Sequence, residues 1–180
     1  MNKSEIRNKI YQLRKKNHHK DLNINSSKIL KFLEKKKINS RIVGGYYPYN
    51  YEVNTLDILK DLEKKNYLIS LPKISKDNEM KFYKWSFKEP LSINIHGIPE
   101  PISKKKINPE ILLVPLVAYD GKFNRLGYGG GYYDKYISSK KHNKKIIKIG
   151  LGFSFQKIDK LPTNQYDEKL DYIITEKNFI

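Results

Sequence analysis

Cysteine is absent from the 180 residues. That excludes a disulfide framework, a thiolate nucleophile and any Cys-bound zinc or iron–sulfur centre. Histidine occurs only as His18, His19, His96 and His142, never in an H-E-x-x-H spacing, so a zinc hydrolase is not expected. Long apolar runs are missing too. The longest nearly apolar stretch is the nine residues Ile111 to Tyr119, against the roughly 20 a membrane span needs. The first residues, Met1-Asn2-Lys3-Ser4-Glu5-Ile6-Arg7, carry charge and no apolar h-region. A cytoplasmic protein without membrane partners is the expectation. Alanine appears once, at Ala118, and arginine only at Arg7, Arg14, Arg41 and Arg125.

What is abundant is lysine. Lys and Arg together number 36 against 19 acidic residues, a formal charge of +17. Such a balance suits a polyanion partner. Four of the 36 are arginine, so 32 are lysine, and Asn, Ile and Tyr are also plentiful. This skew reads as drift toward AT-rich codons rather than as selection for nucleic acid. Clusters such as Lys35-Lys36-Lys37 and Lys140-Lys141 read as solvated faces. In such a chain each retained arginine is a candidate for a place where a planar, two-pronged donor is required. The length fits one domain, residues 1–180, burying about 70% of its unfolded surface.

Ile6, Ile10 and Leu13 recur at helical spacing and predict a first helix. A second begins near Asn25 or Ser26 and turns Ile29, Leu30 and Leu33 inward. Ile42-Val43-Gly44-Gly45-Tyr46-Tyr47-Pro48 reads as a short buried strand ending in a loop. Asn54 with Asp57 resembles a capping box opening a helix with Leu56, Leu59 and Leu62. Tyr67 to Leu71 reads as a strand ended by Pro72. Met80 to Phe87 is aromatic-rich and extended, and His96 to Pro109, with its prolines and lysines, reads as loop. Ile111-Leu112-Leu113-Val114 is a strand covered on both faces. Tyr132 to Lys140 forms a helix, and Ile146–Phe153 and Leu170–Thr175 the last strands. The alternation predicts an α/β fold with a largely parallel central sheet flanked by helices.

Residues 114–134 carry the strongest signal: Val114-Pro115-Leu116-Val117-Ala118-Tyr119-Asp120-Gly121-Lys122-Phe123-Asn124-Arg125-Leu126-Gly127-Tyr128-Gly129-Gly130-Gly131-Tyr132-Tyr133-Asp134. A strand, an arginine, four glycines in five positions and a helix start suit an anion. Glycine lets successive N–H groups converge, and the helix N-terminus adds its own donors. Arg125 is placed to clamp phosphate oxygens, and Asp134 to hold a Mg²⁺ that bridges phosphates. Neither G-x-G-x-x-G nor the Walker A pattern matches. Glycine clusters also make plain tight turns, so the loop alone leaves both readings open.

The segment resembles the signature of the 5-formyltetrahydrofolate cyclo-ligase (5,10-methenyltetrahydrofolate synthetase) family, V-P-x-V-A-[FY]-D…R-L-G-Y-G-G-G-Y-Y-D. Lys3-Ser4-Glu5-Ile6-Arg7 is similar to that family's K-x-x-[LI]-R. Tyr47-Pro48 with Glu52 and Thr55, then Leu71-Pro72, Met80 with Phe82, and Gly97-Ile98-Pro99-Glu100-Pro101 follow in the family's order. Asp167…Asp171-Tyr172-Ile173-Ile174-Thr175-Glu176 resembles its closing motif, with Tyr166 where the family often has histidine. The resemblance implies ATP as co-substrate, Mg²⁺, and small-molecule substrates rather than nucleic acid. It implies ATP contacts at Lys3, Ser4, Glu5, Ile6, Arg7, Arg125, Leu126, Gly127, Tyr128, Gly129, Gly130, Gly131, Tyr132 and Tyr133. Arg125 and Tyr132 would be catalytic, Tyr47 and Glu52 would contact folate, and Asp134 and Asp171 would ligate Mg²⁺. Tyr128, Tyr132 or Trp85 would stack on pterin or adenine, unless these rings are only packing. A monomer or weak homodimer is expected. The alternatives are a basic, aromatic-rich single-stranded nucleic-acid-binding module and a small kinase using the same loop.

Overall fold

In the computed structural model, residues 1–18, 22–75, 77–140 and 146–180 are described; His19, Lys141 and His142 lie outside them. The apolar strand segments assemble into one six-stranded sheet, and the helical stripes cover it. In chain order the elements are α1 (Lys3–Asn17), α2 (Ser26–Lys35), β1 (Ile42–Gly44), α3 (Leu56–Lys64), β2 (Leu68–Ile74), β3 (Met80–Lys84), β4 (Leu91–Ile93) and β5 (Pro99–Pro101). β6 (Ile111–Pro115), β7 (Ala118–Tyr119), β8 (Arg125–Leu126), α4 (Tyr132–Lys140), β9 (Ile147–Leu151) and β10 (Tyr172–Ile174) complete them. The sheet order is β10-β9-β6-β1-β2-β3. All neighbours run parallel except the β2–β3 pair. This is the α/β, largely parallel architecture the alternation predicts.

The period-2 alternation of β6 divides the core. Ile111 and Leu113 face the layer of Ile29, Phe32 and Leu33 from α2 and Ile58, Leu59 and Leu62 from α3. Leu112 and Val114 face the other side, with Tyr136 and Ile137 of α4. Both faces are thus covered, as a parallel sheet requires. Helix α1 packs elsewhere: Ile6 and Ile10 join Val117, Ala118 and Leu126 of the small β7–β8 hairpin.

Several local expectations are corrected. The inward stripe of α1 is Ile6, Ile10 and Arg14, with Leu13 only partly buried. Pro72 does not end its strand. β1 pairs with β2 only as far as Ser70, so beyond it that edge of β2 pairs with no strand among the described residues and a missing N–H breaks no ladder there. The stretch from His96 is not all loop. β5 pairs with β4 through a turn at Gly97, and Lys105 and Ile107 hydrogen-bond to the free edge of β3. The α3 cap is not a reciprocal box. Asn54 Oδ1 accepts from Leu56 N at 3.0 Å and its Nδ2 donates to Asp57, while Thr55 is the N-cap and spends its hydroxyl on the Tyr46 carbonyl, 2.5 Å away.

Candidate active site

The chain leaves β1 toward β2 on one side and later enters β6 on the other, so the order reverses between β1 and β6. In open α/β sheets a crevice opens at that point, outside the carboxyl ends of the strands. The loops that leave β1 and β6 there are residues 45–55 and 116–131, which contain the Tyr47–Glu52 stretch and the glycine loop.

The first loop ends in a tight turn. Glu52 N donates to Tyr49 O at 3.1 Å, and the two central residues, Asn50 and Tyr51, both sit at left-handed φ, 48° and 59°. That is the geometry of a type I′ turn, which non-glycine residues adopt at some cost. Glu52 Oε2 returns the contact by accepting from Tyr49 N at 2.9 Å. Burial pushes the Glu52 carboxyl up to about 7, against the Tyr49 N–H, the Arg14 charge and the Tyr128 hydroxyl, which favour the carboxylate. Tyr46, buried on the same loop, has its phenol pushed well up by burial and then by Glu52. Tyr47, the next residue, is half-buried.

The glycine loop is gripped from α1. Arg7 Nε donates to Gly127 O at 2.8 Å, and Arg14 Nη1 to the Tyr128 hydroxyl at 2.6 Å. Gly129 has φ +113°, and a Cβ there would stand 3.5 Å from Arg7 Nη2. Gly131 is also left-handed, at +66°, and nothing lies within 4 Å of where a Cβ would sit on Gly127. The Tyr132 ring folds back over Gly130, where a Cβ would be only 2.6 Å from Cε2. The Tyr133 hydroxyl is buried with no hydrogen-bond partner among the described residues. Burial and then Glu52 raise its titration, and Arg125 opposes them. A buried, unpaired donor at a crevice is a position a ligand can satisfy.

The sequence-predicted cations are each matched to a carboxylate or carbonyl of the chain. Arg125, 8% exposed, places Nη2 at 3.0 Å from Asp134 Oδ1 and Nη1 at 2.6 Å from Glu168 O. Asp134 Oδ1 also accepts from Glu168 N at 2.9 Å. Lys3 Nζ pairs with Asp167 at 2.7 Å. Asp171 accepts from Lys148 N at 2.8 Å, with Lys148 Nζ at 3.4 Å. The closing segment thus runs along the glycine loop and the start of α1. Lys3, Arg125 and Asp134 meet this segment, and Arg7 and Arg14 hold the glycine loop, whereas Asp171 stands beside Lys148 near the amino ends of β9 and β10.

Within Lys3–Arg7, Ser4 and Glu5 are exposed and their amides satisfy the Asn2 side chain, while Glu5 caps Asn2 N in return. Ile6 is core. Trp85 is also core, packed on Phe87 with its Nε1–H donated to Glu89 O, so a stacking role for it is not supported by its placement. Sequence reasoning assigned no role to Arg14; the available signal was its survival in a lysine-skewed chain. Asp167 stood in the closing-motif resemblance and Lys148 carried no signal, and the pairing of neither was legible, because their partners lie far away in sequence.

A model of the 5-formyltetrahydrofolate cyclo-ligase family matches residues 1–176. A 5-formyltetrahydrofolate cyclo-ligase of Haemophilus influenzae is 33% identical over 132 residues, 69% of this chain and 70% of its own length. One from Mycoplasma pneumoniae is 30% identical over 183 residues, 98% of this chain and 100% of its own. The solution structure of the Aquifex aeolicus 5,10-methenyltetrahydrofolate synthetase superposes with a TM-score of 0.81 at 31% identity, over 99% of this chain and 92% of that one. A 5,10-methenyltetrahydrofolate synthetase structure from Mycoplasma pneumoniae gives 0.72 at 26% identity, over 98% and 99%. These matches take in the sheet, both crevice loops and the closing segment alike, and the chain belongs to the 5-formyltetrahydrofolate cyclo-ligase family.

Proposed function

We propose that this protein closes 5-formyltetrahydrofolate to 5,10-methenyltetrahydrofolate with ATP and Mg²⁺, releasing ADP and phosphate. The observation that carries the reading is the meeting, at one crevice, of a glycine loop of phosphate-binding type and a half-buried carboxylate on the facing turn. We take residues 1–180 as one domain, acting on small molecules in the cytoplasm as a monomer or weak homodimer.

A formamide oxygen is a poor leaving group. Transfer of the γ-phosphoryl group to the N5-formyl oxygen breaks the bond between Pγ and the β,γ-bridging oxygen, so that ADP leaves, and forms a P–O bond and an imidate-like phosphate. N10 then attacks the activated carbon and loses its proton. The C–O bond breaks, phosphate leaves with the formyl oxygen, and the N5–CH–N10 amidinium remains. No protein nucleophile is needed, so the protein's work is positioning and charge neutralisation. Glu52 accepts the two-donor edge of the pterin, with Tyr47 beside it. Lys3, Ser4, Glu5, Ile6, Arg7 and the 125–133 loop hold ATP. Arg125, steadied by Asp134 and the Glu168 carbonyl, supplies positive charge to the transferring group, and Tyr132 closes over the loop.

The donors present fit a nucleotide-bound Mg²⁺. This ion usually takes one or two carboxylates plus substrate phosphates rather than a protein cage. Among the described residues no group of three or more His, Cys, Asp or Glu could hold a metal. Asp134 makes both of its contacts through Oδ1, which leaves Oδ2. Among the described residues Asp171 Oδ2 accepts from Lys148 N and Oδ1 has the 3.4 Å contact with Lys148 Nζ. Asp134 and Asp171 would hold the ion, and it would neutralise phosphate charge during transfer. The test is to mix the protein with 5-formyltetrahydrofolate, ATP and Mg²⁺ and follow the near-ultraviolet band of the amidinium. The band should require all three components. Growth at full rate without ATP would overturn the reading, and neither a nucleic-acid-binding module nor a small kinase would produce the band.

A further inference from the structure

Three hydrogen bonds converge on a buried residue that the reaction above does not use. Arg14 lies two turns along α1 from Arg7 and is 3% exposed. Its Nη1 donates to the Tyr128 hydroxyl at 2.6 Å and reaches Asn50 O at 3.4 Å. Its Nη2 donates to Leu116 O, the carbonyl just past the end of β6. We propose that Arg14 is a positioning residue for the folate side of the site: its guanidinium ties the Tyr49–Glu52 turn and Tyr128 to the end of β6, fixing where Glu52 stands. The inference rests on the reading given above and deepens it.

The geometry selects an arginine. The three acceptors belong to three segments, the turn after β1, the glycine loop and the β6 end. A planar fork can reach all three from one helix position; a lysine ammonium offers donors from a single point. The turn it holds contains two consecutive non-glycine residues at left-handed φ, Asn50 and Tyr51. Such backbone persists where the surroundings over-determine it. Neighbouring side chains support the same turn: the rings of Tyr11 in α1 and of His18, the residue that caps its end, pack on Tyr51, with centroids 6.0 and 4.7 Å away. Arg14 Nε is buried without a hydrogen-bond partner, so local satisfaction of the guanidinium is incomplete. The composition agrees, since three of the four arginines, Arg7, Arg14 and Arg125, stand at this crevice in a chain rich in lysine.

Charge follows from the same placement. The groups that act on Glu52 are the Tyr49 amide from its own loop, Arg14 from α1 and Tyr128 from the glycine loop; the phenols of Tyr46 on its own loop and Tyr133 of α4 also face it, and Glu52 pushes their titration up. Arg14 is the only one of these that is a cation. Burial drives Glu52 toward the neutral acid and Arg14 opposes it. Without the guanidinium the carboxylate would form only at higher pH, and the acceptor for the pterin edge would be lost near neutrality.

The test uses the full chain and initial rates of amidinium formation, across roughly pH 6 to 9, for the parent, Arg14→Gln, Arg14→Lys and Tyr128→Phe. Arg14→Gln should raise KM for 5-formyltetrahydrofolate roughly ten-fold or more and leave KM for ATP near the parent's. It should also move the acid limb of kcat/KM for the folate to higher pH. Arg14→Lys should return that limb toward the parent's position but keep KM raised, because the charge is restored and the fork is not. A well-folded Arg14→Gln with parental KM and parental acid limb overturns the proposal. So does an equal rise in both KM values, which would mark general damage to the fold. Where Arg14→Gln does not fold, Tyr128→Phe decides, since it deletes one acceptor on a ring that is 44% exposed. A raised folate KM alone supports the proposal and a parental one overturns it. A parent that forms no amidinium overturns the cyclo-ligase reading itself and this inference with it; a turning-over parent beside an unmoved Arg14→Gln overturns this inference alone.

Discussion

Glu52 carries opposed consequences for stability and function. Its carboxyl titrates near 7 in the folded chain, through burial, but in the ordinary carboxylate range when unfolded. Between those values the folded state binds more protons than the unfolded state, so stability falls as pH rises through that window. Glu52→Gln keeps the shape and removes the charge. It should stabilise the protein by about 1–3 kcal/mol at pH 8 and far less at pH 5, while raising KM for the folate. Thermal melts at the two pH values check the first part. Asp120 behaves in the opposite sense. Burial pushes its carboxyl up, but bonds from the Asn124 side chain and from the Leu161, Lys122 and Asn124 amides together hold it below the usual range. Its contribution is full above the unfolded value and is lost as pH falls through the lower folded one. Asp120→Ala should cost about 2–4 kcal/mol at neutral pH, by stranding buried donors, and less in acid. The sequence showed Asp120 only as part of the resemblance, and Glu52 only as a matched carboxylate. Their environments are assembled by Leu161, Arg14 and Tyr128, residues whose approach no local pattern announces.

At the scale of elements, the glycine loop separates a turn from a ligand cradle. Gly129 sits at φ +113°, so Gly129→Ala strains the backbone although the nearest atom is 3.5 Å away; a loss of roughly 1–3 kcal/mol is expected. Gly127 has open space around it and no left-handed φ. Gly127→Ala should therefore leave the melting temperature close to the parent's. If phosphates approach the loop closely, it should raise KM for ATP several-fold even so. Unchanged KM in a stable Gly127→Ala would mark the glycine as only part of a turn. The strands and helices of the main sheet layers were legible from local runs, four unbroken apolar residues in β6 and leucines at helical spacing in α3. Pro72 misled because a proline is excluded only where a neighbouring strand needs its N–H. The β4–β5 arm escaped notice because its two prolines suit a short two-stranded ribbon as well as a loop. Ion pairs such as Lys3–Asp167, separated by 164 residues, depend on the finished topology.

The whole molecule joins these through its chain reversal at β1 and β6, which sets the folate-side turn opposite the phosphate-side loop. The charge of +17 is a separate matter. If it served a nucleic acid through several phosphates, binding should fall by roughly 10³–10⁵ between 50 and 200 mM salt. Turnover at an enclosed site held by fixed donors should change much less. Arg125→Lys keeps the net charge but gives up the fork between Asp134 and the Glu168 carbonyl, so turnover should drop roughly ten- to hundred-fold while weak polyanion binding stays as it was. At the centre of this chemistry ATP activates the formyl oxygen itself. The decisive measurement uses 5-formyltetrahydrofolate labelled with oxygen-18 in the formyl group, followed by mass analysis of the phosphate released. The account predicts one labelled oxygen in each phosphate for each amidinium formed. Unlabelled phosphate, with the oxygen-18 in water, would contradict it.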